Sequence, residues 1–235
     1  MSQIYQLTHQ DIKDENTLYN FIYKREDLNY YYSDSFNQEF YIDLAKAGFI
    51  SVSHNENDLE YLLPEIQKEY AILDFKDIYI GTKVAKLLKR AHLYSFEINQ
   101  RFDEVVEHLE TFHKNSWING KYKELLKTLH KTNDDNNFKL LSFELVCSAT
   151  DTITAAEIGY IIGKTYTSLS GFSSREKKYN NFGKLQLVLL GEYLQKNNFD
   201  FWNLGHPHMQ YKLDFGAKIY SRKDFLSRWS LSIKV

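Results

Sequence analysis

The sequence has 235 residues, 43% of them hydrophobic, 16% aromatic and 26% charged, with a formal net charge of −2. That length suits one large or two small domains, and the aromatic content excludes a disordered chain. A single cysteine, Cys147, excludes an internal disulfide or a multi-thiolate zinc site and points to a reducing compartment. The first sixteen residues are polar, unlike a signal peptide, and the most apolar run, Ile158 to Ile162, falls far short of the ~20 residues of a bilayer span. A soluble, cytoplasmic protein is expected. The charge is uneven: residues 1–60 carry a net of −7, and residues 61–235 a net of +5. The mildly basic part permits contact with nucleic acid without requiring it.

The predicted elements begin with two helices, at about 10–26 and 37–47, the second stopped by Gly48. Short β-like runs follow at 49–52 and 70–73. Residues 81–90 read as an amphipathic helix, with Val84, Leu87 and Leu88 on one side and Lys83, Lys86, Lys89 and Arg90 around the other. A domain boundary is expected near 89–93, which separates an N-terminal domain, 1–92, from a second domain, 93–235. A strand at 94–98 and helices at about 101–112 and 121–131 come next. Three β-rich runs, 138–146, 152–162 and 165–172, are joined by short turns, so they are expected to lie side by side and antiparallel. A basic loop, 173–181, leads into a long apolar-striped helix, 182–196. A strand at 200–203, a helix at 207–214 closed by Gly216, a strand at 217–220 and a helix started by Ser221 complete the order. The expected class is α/β (α+β): a mixed, mainly antiparallel sheet with flanking helices, plus a smaller N-terminal α/β domain. Meander, basic loop, long helix and strand is the order of the GNAT-like acyltransferase fold, in which two central strands splay apart to admit an acyl donor.

Several residues stand out for chemistry. Glu157 interrupts an otherwise neutral strand. It reads either as an edge or lysine-paired carboxylate or as a general base for an attacking amine. Glu144 reads as a structural salt-bridge partner or a site residue, and Trp117 as a core aromatic or a base-stacking platform. Lys83, Lys86, Lys89 and Arg90 form a solvated face or, with Arg175, Lys177, Lys178 and Lys184, a phosphate track. The segment Asn181-Phe-Gly-Lys184 resembles half of the acyl-CoA phosphate loop Q/R-x-x-G-x-G/A. His206 and His208 flank Pro207 without an acidic residue at helical spacing, so a polar role beside Asn203 is expected rather than metal binding. The sequence has no G-x-S-x-G elbow and no Walker loop, which argues against hydrolase and NTPase chemistry.

A longer pattern is carried by pieces in fixed order. Phe96-Glu-Ile-Asn-Gln-Arg-Phe102 resembles a V-N-x-x-F strand-to-helix junction, Ser116-Trp117-Ile118 a T-W-I, and Leu129-His130 an L-H. Ser142-Phe-Glu144-Leu-Val resembles S-V-E-V-W, and Thr154 through Ser173 runs without a gap against V-G-G-L-Y-G-V-A-x-G-x-x-F-x-G-E-S-M-F-S. Within it Gly159, Gly163, Ser170, Phe172 and Ser173 fall in step. Phe215-Gly-Ala217 and Arg222-Lys-Asp-Phe-Leu226 are similar to L-G-A and P-R-x-x-F-L, and Leu44 to Ile50 is similar to A-Y-x-x-G-I-F. Over roughly residues 40–230 the chain thus resembles the leucyl/phenylalanyl-tRNA–protein transferase family, built on the GNAT-like fold.

The resemblance implies aminoacyl transfer from a charged tRNA to the N-terminal amine of an acceptor protein, usually one beginning with Arg or Lys. No cofactor is required, since the ester carries the activation. It places Trp117 on the terminal adenosine, the basic helix and loop on the acceptor stem, and Glu157, Tyr166 and Tyr193 in the aminoacyl pocket, with Phe172 and Ser173 on the matched strand. Ser170, Asn203 and backbone amides would serve the oxyanion, with Glu144 retained at a family position; a monomer without membrane contact is expected. The departures matter equally. The family's G-E-S-M-F-S glutamate is Leu169 here, its D-C-Q becomes Trp202-Asn203-Leu204, and its W-W-S-P-D-P-R has no clear match near Tyr61 to Pro64. A carboxylate at Glu157 is a poor receptor for Leu or Phe; in a pocket it would instead pair a cationic aminoacyl side chain or act as a base. Two rival readings stand beside this one: an acyl-CoA-dependent N-acyltransferase with Asn181–Lys184 on the pyrophosphate, and a non-catalytic binder of charged tRNA.

Overall fold

A computed structural model describes residues 4–132 and 137–234. The chain opens with strand β1 (Tyr5–Gln6), helix α1 (His9–Lys13), a wide helical turn at Thr17–Ile22 and strand β2 (Tyr31–Tyr32), which lies parallel to β1. The single helix expected over 10–26 is broken at Asp14. There the backbone is extended, and the carboxylate accepts from the Thr17 N–H at 3.0 Å, so the side chain starts a new turn instead of continuing the old one. Helix α2 (Gln38–Lys46) begins at Asn37, whose side chain accepts from the Phe40 N–H, and ends before Gly48 at φ +85°.

Strands β3 (Ile50–Glu56) and β4 (Leu59–Glu65) form a hairpin that the sequence reading only half contains. Both residues of its two-residue turn, Asn57 and Asp58, take positive φ, the conformation of a tight hairpin turn. Then come β5 (Glu69–Leu73), α3 (Thr82–Leu88), β6 (Tyr94–Ile98), α4 (Phe102–Phe112) and α5 (Gly120–Lys131). The meander of β7 (Phe138–Cys147), β8 (Thr152–Ile162) and β9 (Thr165–Ser173) leads into α6 (Phe182–Lys196). The chain finishes with β10 (Phe201–Asn203), α7 (Gln210–Asp214), β11 (Lys218–Ser221) and α8 (Arg222–Ser232).

Seven strands form the central sheet in the order β11-β5-β10-β9-β8-β7-β6, antiparallel throughout except for the β9–β10 pair. This is the mixed, mainly antiparallel sheet with flanking helices expected from the sequence, in the GNAT-like order of meander, helix and parallel return strand. One face carries α4, α5, α8 and the N-terminal elements, around Phe102, Val105, Leu126, Ile158 and Trp229. The other carries α3, α6 and α7, around Phe143, Tyr166, Leu185, Val188 and Trp202. Strand β5 lies before the expected boundary at residue 92, yet it is bonded between β10 and β11, so strands from both sides of that boundary build one sheet. No helix among the described residues is long and apolar enough to cross a membrane.

Two irregularities shape the middle of the sheet. Strand β10 pairs with β9 only over Thr165, Tyr166 and Thr167, and beyond that point β9 continues to Ser173 with no strand on that side among the described residues. Close by, the β8–β9 register slips: Gly159 opposes Ser168 and Ile158 opposes Ser170, which leaves Leu169 as the extra residue of a bulge. The sheet therefore opens between β9 and β10 where β9 is also kinked.

Candidate active site

Glu157 faces the α6 side at the head of this opening and is 5% exposed. Its Oε1 accepts from the Tyr166 hydroxyl and from the Ser168 hydroxyl, each at 2.8 Å. Trp202 on β10 donates its indole N–H to Ser168 Oγ at 2.8 Å, so one bonded chain runs from β10 through β9 to β8. Burial pushes the Glu157 carboxyl up to about 7 against the opposing pull of these donors. The cluster needs glycine at position 159, where an added Cβ would lie 2.3 Å from the Tyr166 hydroxyl and 2.4 Å from a backbone oxygen of Thr167. Gly159→Ala is thus expected to displace Tyr166 from Glu157 and to lower stability by about 1–3 kcal/mol, read by urea denaturation.

A buried lysine completes the group, and the sequence reading missed it. Lys212 on α7 is 4% exposed and donates Nζ to the carbonyls of Leu204 at 2.5 Å and His206 at 2.7 Å. These carbonyls belong to the loop that leaves β10, so the lysine fixes the far lip of the opening. Burial brings its amine down to about 8, opposed by the charge of Glu157. In sequence it is one lysine in a short polar helix, with nothing to distinguish it from a solvated one. Tyr211 beside it lines a cavity of about 590 Å³, together with Tyr79, Lys83, Lys184, Leu187 and Phe215. The Tyr211 hydroxyl is held up at about 12 by burial first and by the Glu157 charge second, which puts Glu157 within electrostatic reach of that cavity wall.

The remaining candidates separate by face. Tyr166 and Tyr193 share the α6 side with Glu157, and both rings pack on Phe143. Glu144 lies on the opposite face, fully buried, with Oε1 accepting from Ser142 Oγ at 2.5 Å and from the Arg101 N–H at 3.2 Å at the start of α4. Burial raises its carboxyl. Asn203 also faces away, and its amide is used within the strand end, accepting from the Gly205 N–H at 2.9 Å and donating to Thr167 Oγ1 at 3.4 Å. Ser170 opposes Ile158 and so shares the α4 face, as does Phe172, whose ring meets His108 and Phe112. The expected quartet Glu157, Ser170, Asn203 and Glu144 is therefore split, three of its members standing across the sheet from Glu157. The alternation of strand side chains places them there, with the bulge at Leu169 moving Ser170 onto the other face.

Trp117 is half-buried on the α4–α5 side, edge-on to Tyr122, with its carbonyl accepting from Ser53 at 2.5 Å. Ser173 packs against Gly183 at the start of α6. Lys83 and Lys184 meet at the 590 Å³ cavity, and Lys184, Arg175 and Lys177 line an adjoining one of about 430 Å³. Lys86, Lys89 and Arg90 are exposed and make no ion pair among the described residues, whereas Arg175 lies over Phe112 and Lys178 pairs with Glu176 at 3.0 Å. His206 takes the polar role expected at the strand end, its Nε2 lying 2.8 Å from the buried carboxylate of Glu65. Glu65 escaped the sequence reading because its strand did.

No curated protein matches this sequence. Among solved structures the chain is similar to FemX, at 11% identity over 92% of this chain and 76% of that one, with a TM-score of 0.49. It is also similar to the C-terminal domain of a lysylphosphatidylglycerol synthetase from Agrobacterium fabrum, at 14% identity over 82% of this chain, with a TM-score of 0.47. It spans 65% of that domain's length. A third likeness is to L-PGS from Bacillus licheniformis, at 11% identity, covering 92% of this chain and 77% of that one, with a TM-score of 0.46. The family model of the leucyl/phenylalanyl-tRNA protein transferases matches residues 72–230, a span that takes in the opened strand pair, Glu157 and Lys212 but not the segment Leu44 to Ile50, and the chain belongs to that family.

Proposed function

We propose that this protein transfers an aminoacyl group from a charged tRNA to an amine of an acceptor, the N-terminal amine of a protein, by aminolysis of the ester. The observation that carries this reading is the opening between β9 and β10 beside the buried Glu157–Lys212 group. Ester aminolysis needs an unprotonated amine, a held ester and donors aimed at the developing oxyanion. An α-amine has a pKa of about 8, so about a tenth of it is neutral at pH 7 without an enzymic base. The backbone N–H groups on the open edge of β9 past Thr167 have no strand partner there among the described residues and are the donors for the oxyanion in this reading. Lys212 ties α7 to the loop of Leu204 and His206 that leaves β10 on the far side of the opening.

The phosphate backbone of the tRNA would follow Lys83 and Lys184 at the cavity and the exposed Lys86, Lys89 and Arg90 beyond it. Reversing two of these charges, Lys86→Glu with Lys89→Glu, is expected to weaken tRNA binding at least about tenfold at moderate salt. The slope of log K against log salt should shrink by about 1 to 2. An unchanged slope, read by filter binding across a salt series, would move the tRNA to another surface.

The transfer itself is tested with a mixed pool of charged tRNAs and peptides beginning with Arg, Lys, Asp or Glu, read by mass spectrometry. A gain of one amino-acid mass is expected. No gain, with protection by coenzyme A, would favour an acyl-CoA donor; no gain with tRNA bound would favour a carrier of charged tRNA.

A further inference from the structure

Glu157 offers one oxygen to the fold and keeps the other. Oε1 takes both hydroxyl bonds, from Tyr166 and Ser168, and no hydrogen bond reaches Oε2 among the described residues. Nor is Oε2 sealed in, since among the described residues the fully buried side-chain atoms without partners are Gln67 Oε1, Glu144 Oε2 and His206 Nδ1. A carboxylate oxygen that is neither bonded nor sealed has room for a donor from outside the chain.

The groups facing it decide what kind of donor. Lys212 on α7 places a positive charge within reach of Glu157 but spends its bonds on two backbone carbonyls. Tyr166 and Ser168 on β9 and Tyr211 on α7 are neutral hydroxyls, and Trp202 on β10 is already committed to Ser168. The positive charge expected from a cationic substrate side chain is thus supplied by the protein itself. A second cation would leave the buried group with a net charge beside Trp202 and Phe143, whereas a neutral donor would leave it balanced.

We propose that the aminoacyl group accepted here ends in a neutral hydrogen-bond donor, a hydroxyl or a carboxamide, and that leucine and phenylalanine are rejected. This rests on the reading that the opening between β9 and β10 holds the aminoacyl end of the donor. A methyl or ring carbon would strip water from Oε2 and return no bond. Sites built to hydrogen-bond a substrate reject the analogue lacking the group far more strongly than apolar pockets reject an extra methylene, by roughly 10⁴ against roughly 10².

The test is competition among tRNAs separately charged with Ser, Thr, Asn, Gln, Leu, Phe, Lys and Arg. The intact protein is supplied with peptides of varied N-terminus, and product masses are counted. At least one hydroxyl or carboxamide residue should be transferred about 100-fold or more faster than Leu and Phe. Glu157→Leu should narrow or reverse that ratio, and Glu157→Gln, whose one oxygen is taken by Tyr166 and Ser168 and which turns an NH2 donor toward the substrate, should lower it while keeping the shape. Leu, Phe, Lys or Arg moving as fast as the best neutral polar residue in the unaltered protein would overturn the inference and leave aminoacyl transfer standing. Transfer of none of the eight would instead remove the reading on which it rests.

Discussion

Arg222→Ala is expected to lower the unfolding free energy by about 3–5 kcal/mol, which is a large part of the 5–15 kcal/mol typical of a domain. Arg222 is 3% exposed at the first turn of α8. Its guanidinium donates to the carbonyls of Gln67 at 3.0 Å, Ile66 at 2.8 Å, Leu28 at 3.0 Å and Arg25 at 2.7 Å, and more weakly to Ile22. None of these partners is a carboxylate, and burial lowers the pKa of the guanidinium. The side chain thus serves as a fork of donors that ties residues 22–28 and the β4–β5 connection to the helix. Truncation would leave several buried carbonyls unmet at about 1–3 kcal/mol each, softened by entering water. Arg222→Lys keeps the charge but has three donors on one nitrogen, and should recover less than half of the loss. Urea denaturation of both variants checks this; a loss below 1 kcal/mol for alanine would mean that water replaces the fork.

Lys212→Met should destabilise the protein by roughly 2–4 kcal/mol near pH 7.5, and Glu157→Leu added to it should restore only part of the loss. The single change strands a buried carboxylate and two carbonyls; the double change removes the carboxylate but leaves the carbonyls of Leu204 and His206 and the hydroxyls of Tyr166 and Ser168 without those partners. The pH dependence separates the two groups. Glu157, raised from 4.5 to about 7, takes up a proton more readily in the folded state, so its contribution to stability is present below pH 4.5 and lost as pH rises through 7. Lys212, lowered from 10.5 to about 8, penalises the fold below pH 8, and the penalty lifts as pH rises toward 10.5. Each shift corresponds to roughly 3 kcal/mol, so their sum is least favourable between pH 7 and 8. Melting temperatures across pH 4 to 11 should dip there in the unaltered protein and flatten in the double variant. Equal dips in both proteins would assign the pH response to other groups.

The long elements were legible because their signals are local. The stripe of α6, the β-rich runs of β7 to β9 and the stop at Gly48 each follow from a few neighbouring residues, and the observed bounds agree within a residue or two. The β3–β4 hairpin was not legible, because its turn is Asn57-Asp58 rather than a glycine pair and Pro64 speaks against a strand interior. Proline is tolerated there near the strand end, where β4 meets the N-terminal segment only through isolated bridges at Tyr30 and Ser33. Glu157 and Tyr166 were named together because the resemblance aligns both with one pocket. Lys212 could not be named with them, because its place depends on a loop packing that no spacing encodes. The face on which Ser170 lies was not legible for a third reason: a bulge moves one residue out of register, and no residue type announces it.

The position of β5 has a consequence for how the chain is made. Residues 69–73 find both of their neighbours only in 201–203 and 218–221, so the strand leaves the ribosome long before either edge that it must zip between. Until the last helix is nearly complete it carries two rows of unpaired backbone groups and the apolar side chains of Tyr70 to Leu73. Its closure is a late event of high loop entropy, and the nascent first ninety residues pass through an aggregation-exposed interval that only completion of the C-terminal strands can end.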